Sequence, residues 1–199
     1  MTFEILLGLI VFSLVSSITP GPNNLMLMAS GANFGFRRSI PHMLGVALGF
    51  TFMVLLVGIG LVQVFQAFPV TYTLLKVVSL VYLLYLAWKI GTAAPAGGGG
   101  EHVGTPLTFV QAALFQWVNP KAWTMALTAV SIYSPSQSLA AVAFVAGVFG
   151  AVNLPCISFW TSMGQQLQRI LTNPLRLRAF NAFMALLLVG SLYPVLMPQ

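Results

Sequence analysis

Charged residues are scarce in this sequence: 5% of its 199 residues are charged, and 58% are apolar. A soluble domain carries roughly 25% charged residues. So few charges cannot cover the surface of a soluble globule, which excludes a water-soluble enzyme and a soluble binding domain. The mean hydropathy of +0.94 indicates a lipid bilayer as the solvent instead. At roughly 20 residues per spanning helix, the chain is long enough for about six spans.

Acidic residues and cysteine are the rarest of all. The two acids are Glu4 and Glu101, aspartate is absent, and Cys156 is the single cysteine. One cysteine excludes an internal disulfide and an intramolecular thiol–disulfide electron carrier. The apolar runs offer a metal only Cys156, His42 and Glu4, so we expect no metal and no other cofactor. The chain is therefore not expected to be an enzyme.

Basic residues outnumber acids, with eight Lys and Arg and a formal net charge of +6. They are sparse and lie mainly between apolar runs, as topology determinants do, whereas nucleic-acid binders cluster bases on one face. The six apolar runs are Phe3–Ser30, Ser39–Phe68, Val70–Gly91, Pro106–Tyr133, Ser138–Leu167 and Leu177–Met197. The first begins with an acidic rather than a basic flank and is too long for a signal peptide.

The bases between the runs predict an orientation. Six fall on one side of the predicted membrane, and the opposite connections and both termini carry none; the six are Arg37, Arg38, Lys89, Arg169, Arg176 and Arg178. The positive-inside rule places that side in the cytoplasm. Both termini are then periplasmic, and the glycine-rich linker at residues 92–105 is cytoplasmic.

The two halves of the chain repeat with a nearly constant offset. Pairs of similar residues lie 100 to 102 positions apart: Pro20 and Pro120, Gly45 and Gly147, and Lys76 and Arg178. Each unit has three spans, an odd number, so the second must enter the membrane inverted. The predicted fold is all-α and integral to the membrane, with inverted three-helix repeats at residues 1–91 and 106–199 joined by the linker.

Prolines interrupt the first and the fourth predicted spans. In a continuous helix Pro20, Pro22 and Pro120 would free the carbonyls of Ser16, Ile18 and Gln116. Broken backbone inside a membrane is tolerated where it lines a cavity, and matching breaks in two repeats indicate a transport site. Freed carbonyls can accept from an ammonium, and the new helix N-termini can bind a carboxylate. The alternative for either break is a simple kink.

These breaks supply the candidate substrate-binding residues. Besides Lys121 they are Pro20, Gly21, Pro22, Asn23, Asn24, Gln116, Asn119, Pro120 and, from the third span, Tyr82. Lys121 either meets a substrate carboxylate or extends to the membrane interface. His42 is a candidate for proton coupling, because the ordinary pKa of histidine lies near neutral pH.

Small residues and further prolines suggest how the spans pack. Gly45 with Gly49, and Gly147 with Ala151, are spaced four residues apart and predict two faces of close helix contact. Pro41 is expected to open the second span, and Pro155 to kink the fifth.

Four motifs stand out along the chain: the Pro-Gly-Pro run at Thr19–Asn24, the glycine-and-arginine turn at 31–37, the tyrosine-rich stretch at 82–89, and the Asn-Pro-Lys motif at 115–121. Together they resemble the LysE/RhtB-type amino-acid exporters, with details most similar to the cysteine and O-acetylserine exporter branch. The resemblance implies six spans and secondary efflux of amino acids across a bacterial inner membrane. The resemblance also implies proton coupling, as in many members of the family, but this chain departs there: apart from Glu4 at the very start of the first run, its spans have no carboxylate that could carry a proton. Coupling through His42, facilitated efflux and exchange are the alternatives.

We therefore expect a secondary transporter that exports small neutral amino acids or their derivatives. A basic substrate would require an acid in the site, and the breaks offer none. The alternatives are a divalent-metal exporter and a membrane scaffold without transport activity. Expected partners are the amino acid, membrane lipid and a second copy of the chain in a homo-oligomer, and no nucleic acid.

Overall fold

The computed structural model describes residues 2–61, 63, 67, 68, 70–93, 105–134 and 138–193. Within these residues it contains α-helices and no strand. Eight α-helices follow one another: α1 (Phe3–Ile18), α2 (Pro22–Phe34), α3 (Phe36–Leu56), α4 (Val70–Gly91), α5 (Phe109–Val118), α6 (Pro120–Tyr133), α7 (Leu139–Gln168) and α8 (Pro174–Gly190). A π-helical turn, Val57–Leu61, follows α3. Most of the predicted linker lies outside the described residues.

Both predicted interruptions are present. Helix α1 ends at Ile18, and α2 begins at Pro22 with its axis bent by 55° from that of α1. Helix α5 ends at Val118, and α6 begins at Pro120. In both cases a proline is the first residue of the new helix, where its missing N–H costs no helical hydrogen bond.

Three of the described helices are long and apolar enough to cross a membrane, namely Phe36–Leu61, Thr73–Gly91 and Leu139–Gln168, and the bent pair α1 and α2 makes a fourth if it counts as one span. Helices α5, α6 and α8 are shorter, with 10, 14 and 17 residues. The predicted all-helical class is thus confirmed. Six spans in two inverted repeats stay a prediction.

Helices α3 and α7 organise the packing. Helix α7 lies against α1, α2 and α3, while α3 also packs on α5, and α4 packs on α8. The α2–α7 crossing is close, because a Cβ atom at Gly164 would collide with the carbonyl of Met28. In the same way a Cβ at Gly45 would collide with the carbonyl of Phe109 on α5. The predicted contact face at Gly45 and Gly49 is therefore confirmed.

Two sequence-based predictions about α3 and α7 are wrong. Gly147 and Ala151 are exposed, and a Cβ at Gly147 would meet no atom within 4 Å. The face of α7 that packs closely carries Gly150 and Gly164 instead. Pro41 lies inside α3 rather than opening it, since Gly35 adopts φ of 78° and lets the helix begin at residue 36.

Large apolar side chains cover much of the outer surface. Phe3, Val70 and Leu175 are each more than 70% exposed. Water would penalise such a surface, whereas hydrocarbon does not. Buried polar side chains, by contrast, lie inside the helix packing, several of them at the two breaks.

Candidate functional site

Lys121 joins the two helix breaks. Its ammonium donates to the carbonyl of Thr19 at 2.8 Å, to the hydroxyl of Thr19 at 2.9 Å and to the carbonyl of Pro20 at 3.3 Å. Lys121 is the second residue of α6, and Thr19 follows the last residue of α1. The carbonyl end of a helix attracts a cation, so the break in α1–α2 holds the charge of Lys121 without a carboxylate.

Side chains from other helices take up the remaining carbonyls of the first break. Asn24 Nδ2 donates to the carbonyls of Ser17 and Thr19, both at 2.8 Å. Trp160 Nε1 of α7 donates to the carbonyl of Ile18 at 3.0 Å. An unpaired carbonyl in hydrocarbon costs on the order of several kcal/mol. The first break is therefore stabilised by contacts with α2, α6 and α7.

The second break is closed by its own residues. Asn119 Oδ1 accepts from the backbone N–H of Lys121 at 3.2 Å, and Asn119 N–H donates to the carbonyl of Gln116 at 3.3 Å. Trp123 Nε1 donates to the carbonyl of Trp117 at 2.8 Å. The sequence predicts that the helix N-terminus at Pro120 is free to bind a carboxylate. In the structure the side chain of Asn119 already caps this helix.

A pair of amides forms a second contact between the breaks. Asn23 Nδ2 donates to Gln116 Oε1 at 2.8 Å, and Gln116 Nε2 donates back to Asn23 Oδ1 at 3.1 Å. Gln116 also donates to the carbonyl of Ala112 at 2.8 Å. Gly21 contributes by its lack of a side chain, since a Cβ there would lie 2.7 Å from Cδ of Lys121. These contacts hold α2 against α5 and leave room for the lysine stem.

A small polar cavity, the break cavity, lies between the two interruptions. Its lining comprises Ser16, Ser17, Gly21, Asn23, Asn24, Phe50, Asn119, Lys121, Ala122, Met125 and Asn153. Its volume is about 20 Å³, on the order of the space for one water molecule. The described conformation therefore holds no space for an amino acid between the breaks.

Two polar groups of the break cavity have no hydrogen-bond partner within the described ranges. Ser17 Oγ is buried and unpaired, and the Asn153 amide, 5% exposed, makes no hydrogen bond there. Both were missed as site residues by the sequence analysis, which chose polar residues within the breaks themselves. The signal for Asn153 is an amide in the middle of the apolar helix α7.

Tyr82 and His42 do not join the break cavity. The ring of Tyr82 lies 6.0 Å from that of Phe115 and 6.0 Å from that of Tyr85, in the apolar packing between α4 and α5. The prediction that Tyr82 lines the same site as the breaks is not supported by this position. His42 is buried in α3 and contributes to a different cavity. Its role in proton coupling stays a prediction.

Comparison with known proteins gives consistent relatives. The family model described as LysE type translocator matches residues 14–191. Proteins named cysteine/O-acetylserine efflux protein from Escherichia coli (strain K12) and Shigella sonnei (strain Ss046) are each 30% identical over 195 residues, covering 95% of this chain and 96% of the relative. No solved structure matches the chain.

Proposed function

The chain belongs to the LysE type translocator family, and on that premise we propose that it is a secondary transporter exporting small neutral amino acids or their derivatives across the bacterial inner membrane. Relatives named as cysteine/O-acetylserine efflux proteins match nearly its whole length, which supports the substrate class. The lining of the break cavity includes the cation Lys121 and no acid, which favours a substrate with a single ammonium group over a basic amino acid.

The proposed architecture has six spans: α1 with α2, α3, α4, α5 with α6, α7 and α8. The helix pairs support two inverted repeats. A two-fold axis relating the repeats exchanges the first span with the fourth, the second with the fifth and the third with the sixth. The packing of α1 and α2 on α7 then corresponds to the packing of α5 on α3. The axis maps the α3–α7 contact and the α4–α8 contact each onto itself. Both termini are proposed to be periplasmic.

The contact between Lys121 and the first break is the observation on which the mechanism rests. An amino-acid zwitterion has one carboxylate and one ammonium. Its carboxylate would replace Thr19 as the partner of Lys121, and its ammonium would take the vacated carbonyls of Thr19 and Pro20. This exchange separates the two breaks and enlarges the break cavity around the substrate. Ser17 and Asn153, which line the break cavity, would contact its side chain.

Efflux from reconstituted vesicles tests the proposed function. Vesicles loaded with radiolabelled L-serine, L-cysteine or L-lysine would be followed with and without a pH gradient. We expect release of the two neutral amino acids above protein-free vesicles, and little release of lysine. Release of lysine alone, or of none of the three, would contradict the proposal.

The orientation is tested by reporter fusions. A reporter that is active only in the periplasm should work when fused after Gln199 and fail when inserted within residues 97–100, because the positive-inside rule predicts that the linker is cytoplasmic. The reverse pattern would show that the orientation is inverted.

A further inference from the structure

A second, larger cavity lies between the C-terminal half of α2, the start of α3 and the end of α4. We refer to it as the vestibule. Its volume is about 360 Å³, against about 20 Å³ for the break cavity. This is within the range of small-molecule sites, roughly 300–1,000 Å³. Much of its wall is apolar, including Met26, Leu86, Ile90 and Leu107.

Three polar side chains of the vestibule wall, those of Ser30, Asn33 and Thr92, are already bonded within the protein. The hydroxyls of Ser30 and Ser39 lie 2.7 Å apart, and Ser39 donates in turn to the carbonyl of Gly35. Asn33 donates to Asn181 at 2.8 Å and accepts from it at 3.0 Å. The side chains of Ser30 and Asn33 therefore already have hydrogen-bond partners without a ligand.

His42 differs from these three side chains. It is 1% exposed, and across the part of the chain that the structure describes neither Nδ1 nor Nε2 has a hydrogen-bond partner. A buried polar group left without a partner destabilises a fold. Lys89 of α4 contributes a cation to the same wall, and no hydrogen bond or ion pair joins it to a described residue. The vestibule thus combines an unpaired imidazole and an unpaired ammonium with apolar surface.

We propose that the vestibule is a second ligand site, which binds an amino acid through its carboxylate to Lys89 and His42 before the amino acid reaches the break cavity. A neutral imidazole donates from one nitrogen and an ammonium from three hydrogens, and a carboxylate accepts from both. The identity of the ligand rests on the proposed function. The break cavity is too small for an amino acid in this conformation, whereas the vestibule is large enough.

The route between the two cavities is short. Met26 lines the vestibule, and Asn23, three residues earlier on α2, lines the break cavity. Residues three apart lie on the same face of a helix. A ligand leaving the vestibule therefore needs to pass about one turn of α2, where Asn23 bonds to Gln116.

Thiol protection tests the vestibule in the full-length protein. Ala93→Cys, in a Cys156→Ser background, places a reactive thiol in the vestibule wall. We expect L-serine to slow its alkylation, and L-serine methyl ester, which has no carboxylate, to fail. His42→Leu or Lys89→Met should raise the protecting concentration roughly ten-fold or more. Lys76→Met, an exposed base on the same helix, should leave it unchanged.

The outcomes separate this proposal from the proposed function. Equal protection by the ester, or protection unaffected by both His42→Leu and Lys89→Met, would overturn the vestibule site. If neutral amino acids leave the vesicles and L-serine gives no protection, the vestibule site is wrong and the proposed function stands. If protection depends on the carboxylate and Lys89 but no amino acid is released, the vestibule site stands and the proposed function fails.

Discussion

The two helix breaks are alike in sequence and differ in how they are stabilised. At the first break, the carbonyls of Ser17, Ile18 and Thr19 receive hydrogen bonds from α2, α6 and α7. The second break is one residue long, and Asn119 closes it with its own side chain and backbone. The first break therefore depends on tertiary contacts, and the second is locally self-sufficient.

Under the proposed mechanism, this difference predicts that the first break moves. Contacts between distant helices are lost when the helices separate, whereas local caps remain. A substrate that displaces Lys121 would loosen the first break and leave the start of α6 intact. The second break then acts as the rigid side of the site, and the comparison can be tested by weakening each side in turn.

Lys121→Met should have the largest effect on function. It keeps most of the stem and removes the charge that contacts Thr19 and is proposed to bind the substrate carboxylate. Binding should weaken by about 1–3 kcal/mol, roughly five- to 150-fold, which equilibrium binding of radiolabelled L-serine measures. Lys76→Met is the control. Normal binding by Lys121→Met would show that Lys121 only stabilises the break.

Asn24→Ala should destabilise the protein more than Asn119→Ala does. The first variant leaves the carbonyl of Ser17 without its donor inside the helix packing and costs about 1–3 kcal/mol. The second removes a helix N-cap and costs about 1 kcal/mol. Unfolding in detergent, followed by circular dichroism, compares them. If Asn119→Ala lowered the stability more than Asn24→Ala, the second break would depend more on its asparagine side chain than the first break does.

Gly21→Ala should disturb the Lys121 contact without straining the backbone. Gly21 has an extended backbone that alanine also adopts, but the added Cβ would lie 2.7 Å from Cδ of Lys121. Overpacking costs a fold about 1–3 kcal/mol, and we expect L-serine binding to weaken less than in Lys121→Met because the ammonium of Lys121 is kept. The control is Gly147→Ala, where a Cβ meets no atom within 4 Å. An unchanged affinity would show that the stem of Lys121 relaxes freely.

Trp160→Phe should have the smallest effect. It keeps most of the ring and removes the donor to the carbonyl of Ile18, so stability should fall by about 1 kcal/mol. Trp123→Phe removes the matching bond at the second break. If only the first break opens with substrate, bound L-serine should offset the loss in Trp160→Phe alone. The same offset in both variants would argue that both breaks move.

Much of the fold could be predicted from the sequence because its signals are local. Pro20, Pro22 and Pro120 lack a backbone N–H and stand beside glycine or asparagine, and the structure breaks the helices there as predicted. Pro41 and Pro155 also lack the N–H, yet they lie inside α3 and α7. The close packing at Gly45 was predicted correctly from spacing, but that at Gly147 was not. The spacing of small residues shows that a helix has a face of small side chains. It does not show which neighbouring helix packs against that face.

The sequence by itself determined the membrane-like composition, the positions of both breaks and the polar residues that flank them, because these follow from the chemistry of single residues and their immediate neighbours. Only the tertiary structure decided which of those polar groups are already paired. Asn23 bonds to Gln116, 93 positions away, while Ser17 Oγ has no hydrogen-bond partner among the described residues. Pairing depends on which helices lie side by side, and long-range packing sets that arrangement.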